Sequence, residues 1–472
     1  MIDRLLVLGT WISPVVLAVL AARVAAGHAD ASILVAALIA APLLGLSIAR
    51  GDDRPPAVDH SRTVVLAGAI VLVLAANFVV MGDLARVLGL HRLHGVIAAA
   101  VLALGVIAWS GGHRWWRLAP PIGAALVLLP LAAVIVTTQS PRAAWVSAAE
   151  RPALTFDARS AWVTDGRAVG DRTTLTFYEA HRVVAASAAS WRVVEKDAVR
   201  MATRDFQLAA GDALTLRPGD QLTLAAGTRV RFEAGRRVPG APTSGAAWAD
   251  GRRRSFLVAL GTSVGIALTL AGGAHALAPA APLLPGLRAL AVPLALAAFV
   301  LGAALWGLYG AALAPDLTLT PRALAPLTEV VSRISAPPWR HLLIAAVVAG
   351  VIGVLLGTVR TCRARFREIA DESGLSSRVG LGALIASVAL AGGAAWWSAD
   401  AWRLFAWALG IAVCGVVAPA LARAGARGET IGRIAGVLAF VAVAYAGHRL
   451  TEYPAVVAAP LSWLVARLAR PR

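Results

Sequence analysis

Two histidines and three tryptophans in the C-terminal half of the chain are the residues best suited to bind a cofactor. His341 begins one long apolar run and His448 ends a later one, and the segment between them contains Trp396, Trp397 and Trp402. Imidazole groups are common axial ligands of haem iron, and indole rings offer a flat apolar surface for a porphyrin. If the helices place both histidines on the same side of a membrane, these residues predict a haem site there.

A plainer role for the same residues is anchoring at the membrane surface, because tryptophan and histidine favour the depth of the lipid headgroups. Their order resembles that of the membrane haem-handling proteins of cytochrome c assembly, which place histidines around a Trp-rich external segment. The chain lacks the Trp-Gly and Trp-Asp spacing of that family, and it has no Cys-x-x-Cys-His motif for covalent haem attachment. The haem interpretation and the anchoring interpretation both stay open on this evidence.

No other motif identifies a reaction. Gly261-Thr262-Ser263-Val264-Gly265 matches a serine nucleophile elbow, but it lies in an apolar run, whereas that elbow needs a strand, a turn and a helix. His91 and His94 are spaced to share one helix face. Asp83 is the only acid near them, and two ligands do not make a metal site. Walker, dinucleotide-binding and His-Glu-x-x-His motifs are absent from the sequence, so the motifs favour a chain that is not an enzyme.

The hydropathy pattern predicts a polytopic α-helical membrane protein with about 11 or 12 transmembrane helices. Hydrophobic residues make up 58% of the 472 positions and charged residues 15%, and a membrane-spanning helix needs about 20 apolar residues. A run at 454–465 is short and contains Pro460, so it either crosses the membrane or lies in its interface. The other predicted spans are 5–26, 31–49, 63–81, 94–110, 119–138, 255–276, 286–313, 341–359, 380–398, 401–422 and 430–447.

The distribution of arginine predicts the orientation of these spans. The net charge is +18 and Lys196 is the only lysine. The basic residues lie mostly between apolar runs, which indicates membrane topology and contact with lipid headgroups rather than nucleic acid. Segment 360–378, read as a short basic loop containing Cys362, lies in the cytoplasm if the N-terminus does. The polar insert after the fifth span then lies outside, although Arg252, Arg253 and Arg254 at its end oppose this placement. The arginine- and alanine-rich composition indicates a bacterium, and hence its inner membrane with the insert in the periplasm.

Residues 139–254 are predicted to form an inserted, extramembrane all-β domain between two transmembrane parts, 1–138 and 255–472. An eight-residue period marks this domain, and each unit combines a short alternating strand with a turn. The glycines that set the period are Gly211, Gly219, Gly227 and Gly235. Such repeats fit a meander, a small barrel or sandwich, or a short β-solenoid. Asp212 and Asp220 follow two of the glycines and are interpreted as turn formers rather than cation ligands.

The interior of the predicted spans offers little polar chemistry. Their centres are nearly free of ionisable groups, with Asn77 as a polar exception, which argues against an ion-coupled mechanism. Small residues predict close helix packing; they are Gly265, Gly272, Gly273, Gly392 and Gly393. Residues 321–336 predict an amphipathic surface helix, which either roofs a cavity or hides its apolar side in lipid.

These observations favour a non-catalytic integral membrane subunit of a larger envelope or energy-transducing complex. Its helices would bind membrane lipids, and its β-domain would dock other membrane or periplasmic subunits. One alternative is a haem- or cofactor-handling protein of the cytochrome assembly type that uses His341 and His448. Another is a permease or lipid-linked substrate transporter, which would need more polar lining than the surroundings of Asn77 provide.

Overall fold

Apolar helices dominate the computed structural model of the chain. The residues described are 12–27, 31, 33–40, 60–108, 115–156, 161–163, 172–196, 201–225, 228–250, 256–277, 288–319, 324–334, 338–374, 376–398, 400–446 and 453–470. Within this part of the chain, seven helices are long and apolar enough to cross a membrane, and three shorter helices are also apolar. The helices are therefore compatible with a multi-pass membrane protein, as the sequence predicts.

Helices flank the sheets on both sides in the chain, and besides those named below the described residues 33–40 are helical. The first group is α1 (Pro14–Ala25), α2 (His60–Val87), α3 (Arg92–Ala108), α4 (Trp115–Thr137) and α5 (Pro141–Ala149). The second is α6 (Gly245–Asp250), α7 (Phe256–Leu277), α8 (Arg288–Leu313), α9 (Ala325–Ile334), α10 (Trp339–Glu372), α11 (Ser377–Trp397), α12 (Ala401–Ala412), α13 (Ala418–Leu421), α14 (Gly425–Tyr445) and α15 (Ala455–Leu468). A 3-10 turn at Pro315–Leu319 follows α8, and a π-helical turn at Val413–Val417 joins α12 to α13.

Helix α2 lies at the centre of the bundle. Every residue from Val73 to Ala85 is buried, and the most extensive contacts of α2 are with α12, α3 and α11. A helix that is apolar on all sides is expected to be surrounded by other helices rather than to face solvent. Polar groups on this helix, including Asn77, are therefore enclosed by protein.

Helix α10 is much longer than the span predicted for it. The expectation that Cys362 lies in a short loop at 360–378 is wrong, because the helix continues without a break to Glu372 and buries Cys362. Many of the residues beyond 359 are arginine, alanine and glutamate, which are strong helix formers. Loss of apolar character thus ends the segment suited to the bilayer without ending the helix, which stops just before Gly374 at a φ of +65°.

Glycines bring several helices into backbone contact. A Cβ atom built on Gly123 of α4 would lie 2.7 Å from the backbone oxygen of Gly350 of α10, and this helix pair makes the most extensive contact between helices in the described chain. The predicted packing role is confirmed for Gly273, whose built Cβ meets the backbone of α12 at 2.4 Å. It is wrong for Gly392 and Gly393, where no atom lies within 4 Å of the built Cβ.

Helix α15 packs lengthwise on α14. Gly428, Gly432 and Gly436 form a stripe at four-residue spacing on α14, and their built Cβ atoms meet Ala466 and Ser462 of α15. Small residues at this spacing allow two helices to approach closely. The run predicted at 454–465 is therefore a packed helix of the bundle, Ala455–Leu468, rather than a segment isolated from the other helices.

Two four-stranded antiparallel sheets occupy the middle of the chain. The strands are β1 (Ala161–Val163), β2 (Arg172–Thr176), β3 (His181–Ala185), β4 (Ala189–Lys196), β5 (Met201–Leu208), β6 (Ala213–Leu216), β7 (Gln221–Ala225) and β8 (Arg229–Phe232). Sheet one has the order β1-β8-β3-β6 and sheet two the order β2-β7-β4-β5. One hydrophobic cluster takes side chains from both sheets, among them Phe177, Trp191 and Val230.

The eight-residue repeat corresponds to strands that alternate between the two sheets. Strands β6 and β8 belong to sheet one and β7 to sheet two, so the repeat is neither a solenoid nor a simple meander. Gly211 and Gly219 adopt φ values of +97° and +95°. Asp212 and Asp220 accept hydrogen bonds from the backbone N–H groups three residues before them, which confirms their interpretation as turn formers. An all-β domain is not confirmed, because the sheets are small and α5 and α6 lie within 139–254.

Candidate functional site

The five residues of the predicted haem site do not share one environment. His341 is an exposed residue in the first turn of α10. Trp396 and Trp397, at the end of α11, are 55% and 90% exposed. His448 lies outside the described residues. Trp402, by contrast, is only 5% exposed, in the first turn of α12.

Trp402 has a packing role. Its indole N–H donates a hydrogen bond of 3.2 Å to the hydroxyl of Tyr453, which precedes α15. The guanidinium of Arg23, in the last turn of α1, lies 5.3 Å from the centre of the Trp402 ring. A cation over an indole face is attracted by the ring electrons. Trp402 thus joins α1, α12 and the start of α15, which leaves its ring faces engaged within the protein.

The structure adds no functional partner to the other two candidate sites, the His91–His94 pair and the Gly261–Gly265 motif, among the described residues. In the described part of the chain no group of three or more His, Cys, Asp and Glu residues could hold a metal ion. The rings of His91 and His94 are 6.2 Å apart, and the Nδ1 atom of His91 accepts a backbone hydrogen bond of 3.3 Å from Leu93. The Gly261–Gly265 motif lies within the continuous helix α7, so it lacks the strand and turn of a nucleophile elbow.

Arginines use their guanidinium groups to cap the ends of neighbouring helices. Arg92, which is 7% exposed, donates to the carbonyl oxygens of Ala395 and Ser398 at 2.7 and 2.6 Å, at the end of α11. Arg363 donates to Val106 in the last turn of α3, and Arg365 to Ala276 in the last turn of α7. The last carbonyl groups of a helix have no partner within it and carry partial negative charge. These arginines therefore satisfy groups that would otherwise be buried without a hydrogen bond.

A buried arginine also closes the π-helical turn that follows α12. Arg433 donates from Nε to the carbonyl oxygen of Gly415 at 2.6 Å and from another nitrogen to the hydroxyl of Ser61. Ser462 of α15 donates to the carbonyl oxygen of Cys414 at 2.7 Å. A π-helical turn interrupts the regular hydrogen bonding of a helix. Side chains from α14 and α15 bind two of its carbonyl oxygens and so hold the turn in place.

Two polar groups in the helix interior have no hydrogen-bond partner among the described residues. The Nδ2 atom of Asn77 donates to the carbonyl oxygen of Val73 at 2.7 Å, but the Oδ1 atom of this fully buried residue accepts nothing. The Oγ1 atom of Thr269, buried in α7, is also without a partner. Buried polar atoms are normally satisfied. A bound polar molecule would find an unused acceptor at Asn77 and an unused hydroxyl at Thr269.

The inserted segment 139–254, called the sheet region from here on, is hydrogen-bonded to one end of the helix bundle. The indole N–H of Trp248, in α6, donates to the carbonyl oxygens of Val24 and Ala25 at the end of α1, both at 3.2 Å. Arg151 donates to the carbonyl oxygen of Ala312, in the last turn of α8, at 2.5 Å. The hydroxyl of Tyr309 donates to the carbonyl oxygen of Gln139. Buried hydrogen bonds from both ends of the inserted segment thus hold it on the bundle.

Helix α9 packs on the bundle next to the end of α8, where the sheet region is attached. It lies within the segment predicted as an amphipathic helix, and the residues of its buried side include Leu327, Val330 and Val331. Its contacts are chiefly with α8 and α10, so protein rather than lipid covers this side. Arg333 of α9 forms an ion pair of 2.6 Å with Asp316 in the turn after α8.

Strand β5 is an open edge of sheet two. It has eight residues, and among the described strands it pairs with β4 alone. Most of its described side chains are exposed. The unpaired N–H and C=O groups of an edge strand are ready to pair with another chain. Of the described features, this edge and the sheet faces are the ones most open to a protein partner.

His181 is a buried titratable group in the core of the sheets. It is 1% exposed, and its ring packs against Phe177 and Phe156 at centroid distances of 4.9 and 6.3 Å. Burial lowers the pKa of His181 below its usual value of 6.5, and the charge of Arg236 lowers this pKa further, while Glu179 and Glu233 oppose the shift. The Nε2 atom lies 3.7 Å from the carboxylate of Glu179. The neutral imidazole is therefore the favoured form in the folded protein.

We expect the sheet region to lose stability as the pH falls below 6.5. The unfolded chain then binds a proton that the folded His181 resists, so the free energy of the unfolded state falls relative to that of the folded state. Above pH 6.5 the imidazole is neutral in both states, and this contribution vanishes. Hydrogen exchange of β3 in the full chain, corrected for the intrinsic rate, should show protection that decreases below pH 6.5. A His181→Phe variant should lack this decrease, and an identical pH profile in the variant would contradict the assignment.

Arginine caps are the main feature that sequence reasoning missed. Segment 360–378 was predicted to be a basic cytoplasmic loop, whereas Arg363 and Arg365 within it bind the carbonyl groups of neighbouring helices, as Arg433 does further along the chain. The Gly-x-x-x-Gly repeat at Gly428, Gly432 and Gly436 was visible in the sequence and would have identified the α14–α15 contact.

Comparison with protein-family models finds no match to this chain, and comparison with curated proteins finds no similar sequence.

Proposed function

We propose that the chain is a non-catalytic integral membrane subunit of a larger envelope or energy-transducing complex, and that its sheet region docks partner proteins. The observation that carries this proposal is the attachment of the sheet region. Trp248 binds it to the end of α1, and the hydrogen bonds of Arg151 and Tyr309 bind it to the end of α8, while β5 is an edge strand among the described strands. A sheet region that is attached to the helices and exposes an edge strand can hold a partner protein at a fixed position relative to the bundle.

The polar groups of the bundle support an architectural role. Arg92, Arg365 and Arg433 are buried and bind carbonyl oxygens of neighbouring helices. A catalytic side chain would instead face a cavity within reach of a substrate. These three buried arginines thus stabilise the packing of the helix bundle itself.

We further propose that the protein lies in the bacterial inner membrane with the N-terminus in the cytoplasm and the sheet region in the periplasm. The ends of α1, α4 and α8 lie near α5 and α6, as alternating crossings of the chain require. The arginine distribution supports the choice of the cytoplasm for the N-terminus. The end of α3 meets α10 through Arg363, and Thr63 at the start of α2 is hydrogen-bonded at 2.7 Å to Ser373 beyond the end of α10. This second group of helix ends is the proposed cytoplasmic face. On the same path the packing of α15 on α14 supports a final crossing by α15.

Mass spectrometry of the protein purified gently from its native membrane tests the proposal. We expect other protein chains in fixed stoichiometry with this one, because a docking subunit is retained in its complex. The measurement should be repeated after mild salt extraction, which removes surface contaminants more readily than subunits with large interfaces. Recovery of the chain only as a free monomer would overturn the proposal.

Haem handling at the outer face is a second candidate function. The exposure of Trp396 and Trp397 leaves their rings free of core packing, and His341 is exposed as well. A double variant, His341→Ala with His448→Ala, should lose any haem absorbance that the purified protein shows. An unchanged spectrum would remove these histidines from consideration as ligands.

Transport of a polar solute or lipid-linked substrate is a third candidate, favoured by Asn77 and Thr269. Their unused polar atoms lie in the interior of the helices. A bound molecule with a hydrogen-bond donor would satisfy the Oδ1 atom of Asn77. The same mass spectrometry tests this reading, since a lone chain that carries a lipid or solute would favour transport over the subunit role.

A further inference from the structure

The outer face of sheet one carries three exposed arginines. Side chains alternate along β3 and β8, so that Val183 and Val230 point into the core while Arg182, Arg229 and Arg231 point away from it. We call Arg182, Arg229 and Arg231 the arginine face. The two strands are adjacent in the sheet, and the face therefore belongs to the middle of sheet one rather than to its edge.

The strand register places these arginines close together. Arg231 is opposite Val184, which lies two residues beyond Arg182 on the same side of β3. Positions two apart on one strand are about 7 Å apart, and diagonal positions on paired strands are about as close. Three guanidinium groups thus start from backbone positions within roughly 7 Å of their neighbours.

No carboxylate neutralises the arginine face in the described residues. None of its three arginines forms an ion pair there, and Glu233, just beyond the end of β8, pairs with Arg236. Sheet two differs, because Arg192 binds both carboxylate oxygens of Asp205, at 2.8 and 3.1 Å, and Arg204 lies 3.6 Å from Glu195.

Like charges on neighbouring positions of a sheet oppose folding. Sheet two shows that this fold accommodates cross-strand acids opposite its arginines. On sheet one the paired positions across from Arg182 and Arg231 are uncharged; they are Thr215, Val184 and Ala161. Glu233 lies opposite Arg182 when the β3–β8 register is continued by one residue, and its carboxylate pairs with Arg236. An external anion bound to these guanidinium groups would relieve this repulsion.

We propose that the arginine face binds an acidic segment of a partner protein, an inference that rests on the docking function proposed above. Guanidinium groups bind carboxylates through paired N–H donors, and a row of three suits consecutive Asp or Glu side chains better than a single charge. A protein fits this position better than a lipid surface. The sheets connect to α5 and α6 through the segments that pair at Leu154 and Val238, so the arginine face belongs to the sheets and not to the apolar helices that suit a bilayer.

A labelled oligoglutamate peptide tests the surface directly. The full chain in nanodiscs of zwitterionic lipid is titrated with the peptide, in parallel with the triple variant Arg182→Gln, Arg229→Gln and Arg231→Gln. The matched control carries Thr174→Glu, Thr203→Glu and Gln221→Glu on strands of sheet two, so both variants lower the formal charge by the same amount. We expect the triple variant to bind about tenfold more weakly, the control to bind nearly as the wild type, and salt to weaken the wild-type binding.

The outcomes separate this inference from the proposed function. Equal peptide affinity of all three proteins overturns the arginine face, and so does binding of phosphatidylglycerol vesicles through the same arginines without peptide binding. In gentle purification from the native membrane, a partner chain lost from the triple variant but kept by the control supports the inference. If the triple variant keeps every partner of the wild type, the arginine face fails while the docking function stands. Recovery of the wild type alone overturns both.

Discussion

Replacement of Arg92 by alanine is expected to lower the free energy of unfolding by about 3 kcal/mol, because a buried and a partly buried carbonyl group lose their hydrogen-bond donor. The side chain leaves the start of α3, passes the backbone of α2 at Gly82 and binds the end of α11. A single side chain thus connects three helices. Thermal unfolding of the detergent-solubilised full chain should show a midpoint several degrees below that of the wild type.

Arg142→Ala is the matched control for this experiment. Arg142 is an exposed arginine on α5, so its removal takes away the same charge and side-chain length without uncovering buried carbonyl groups. Exposed substitutions of this kind usually change stability by less than about 0.5 kcal/mol. If the two variants unfold at the same temperature, the cap formed by Arg92 contributes nothing measurable.

Replacement of Gly123 by valine is expected to destabilise the bundle by about 3 kcal/mol or more, since the added atoms meet backbone rather than movable side chains. The built Cβ lies 2.7 Å from both the Gly350 oxygen and the Val354 nitrogen. Helices α4 and α10 must separate to make room, and their close packing is lost. Reduced yield of monodisperse protein and a lower unfolding midpoint are the expected readouts.

Gly393→Val is the matched control, because it makes the same glycine-to-valine change at a position where the added atoms meet no neighbouring helix in the described chain. Gly393 is an exposed glycine within α11, and no atom lies within 4 Å of its built Cβ. Both substitutions carry the same change in helix propensity, which is below about 1 kcal/mol. Comparable losses in the two variants would show that propensity, not the contact between α4 and α10, causes the effect. Gly123→Ala should give an intermediate loss.

The apolar helices were predictable because they depend on local composition. Each run predicted to cross the membrane and described in the structure is helical, and the predicted boundaries of α3 and α11 differ from the observed ones by a few residues. The turns at Gly211 and Gly219 were predictable for the same reason, since a positive φ favours glycine wherever the turn lies. Local patterns therefore identified most elements and several of their ends.

The boundary at the end of α10 shows where local composition misleads. Polarity rises sharply after 359, and a window that measures only hydropathy ends the element there. Helix formation depends on backbone hydrogen bonds and side-chain propensity, which continue through Arg365 and Glu368 to Glu372. The buried side of this extension includes Cys362 and Phe366, and its burial is a tertiary effect.

The candidate haem site shows a second limit. Residue type alone groups Trp396, Trp397 and Trp402, because all three have an indole ring near the ends of apolar runs. The structure separates them, since Trp402 binds Tyr453, more than 50 positions away in the chain, whereas Trp397 is 90% exposed. A distant hydrogen-bond partner of this kind leaves no local mark in the sequence.

Hydropathy, periodicity and turn residues were thus sufficient for the helical class of the chain, the strands of the eight-residue repeat and the glycine turns between them, because each depends on neighbours within a few residues. The roles of the arginines required long-range contacts. Arg92 acts on Ala395, and Arg433 acts on both Ser61 and Gly415. The division of the strands between two sheets and the open arginine face of sheet one arise in the same way, because pairing and burial depend on residues that folding alone brings together.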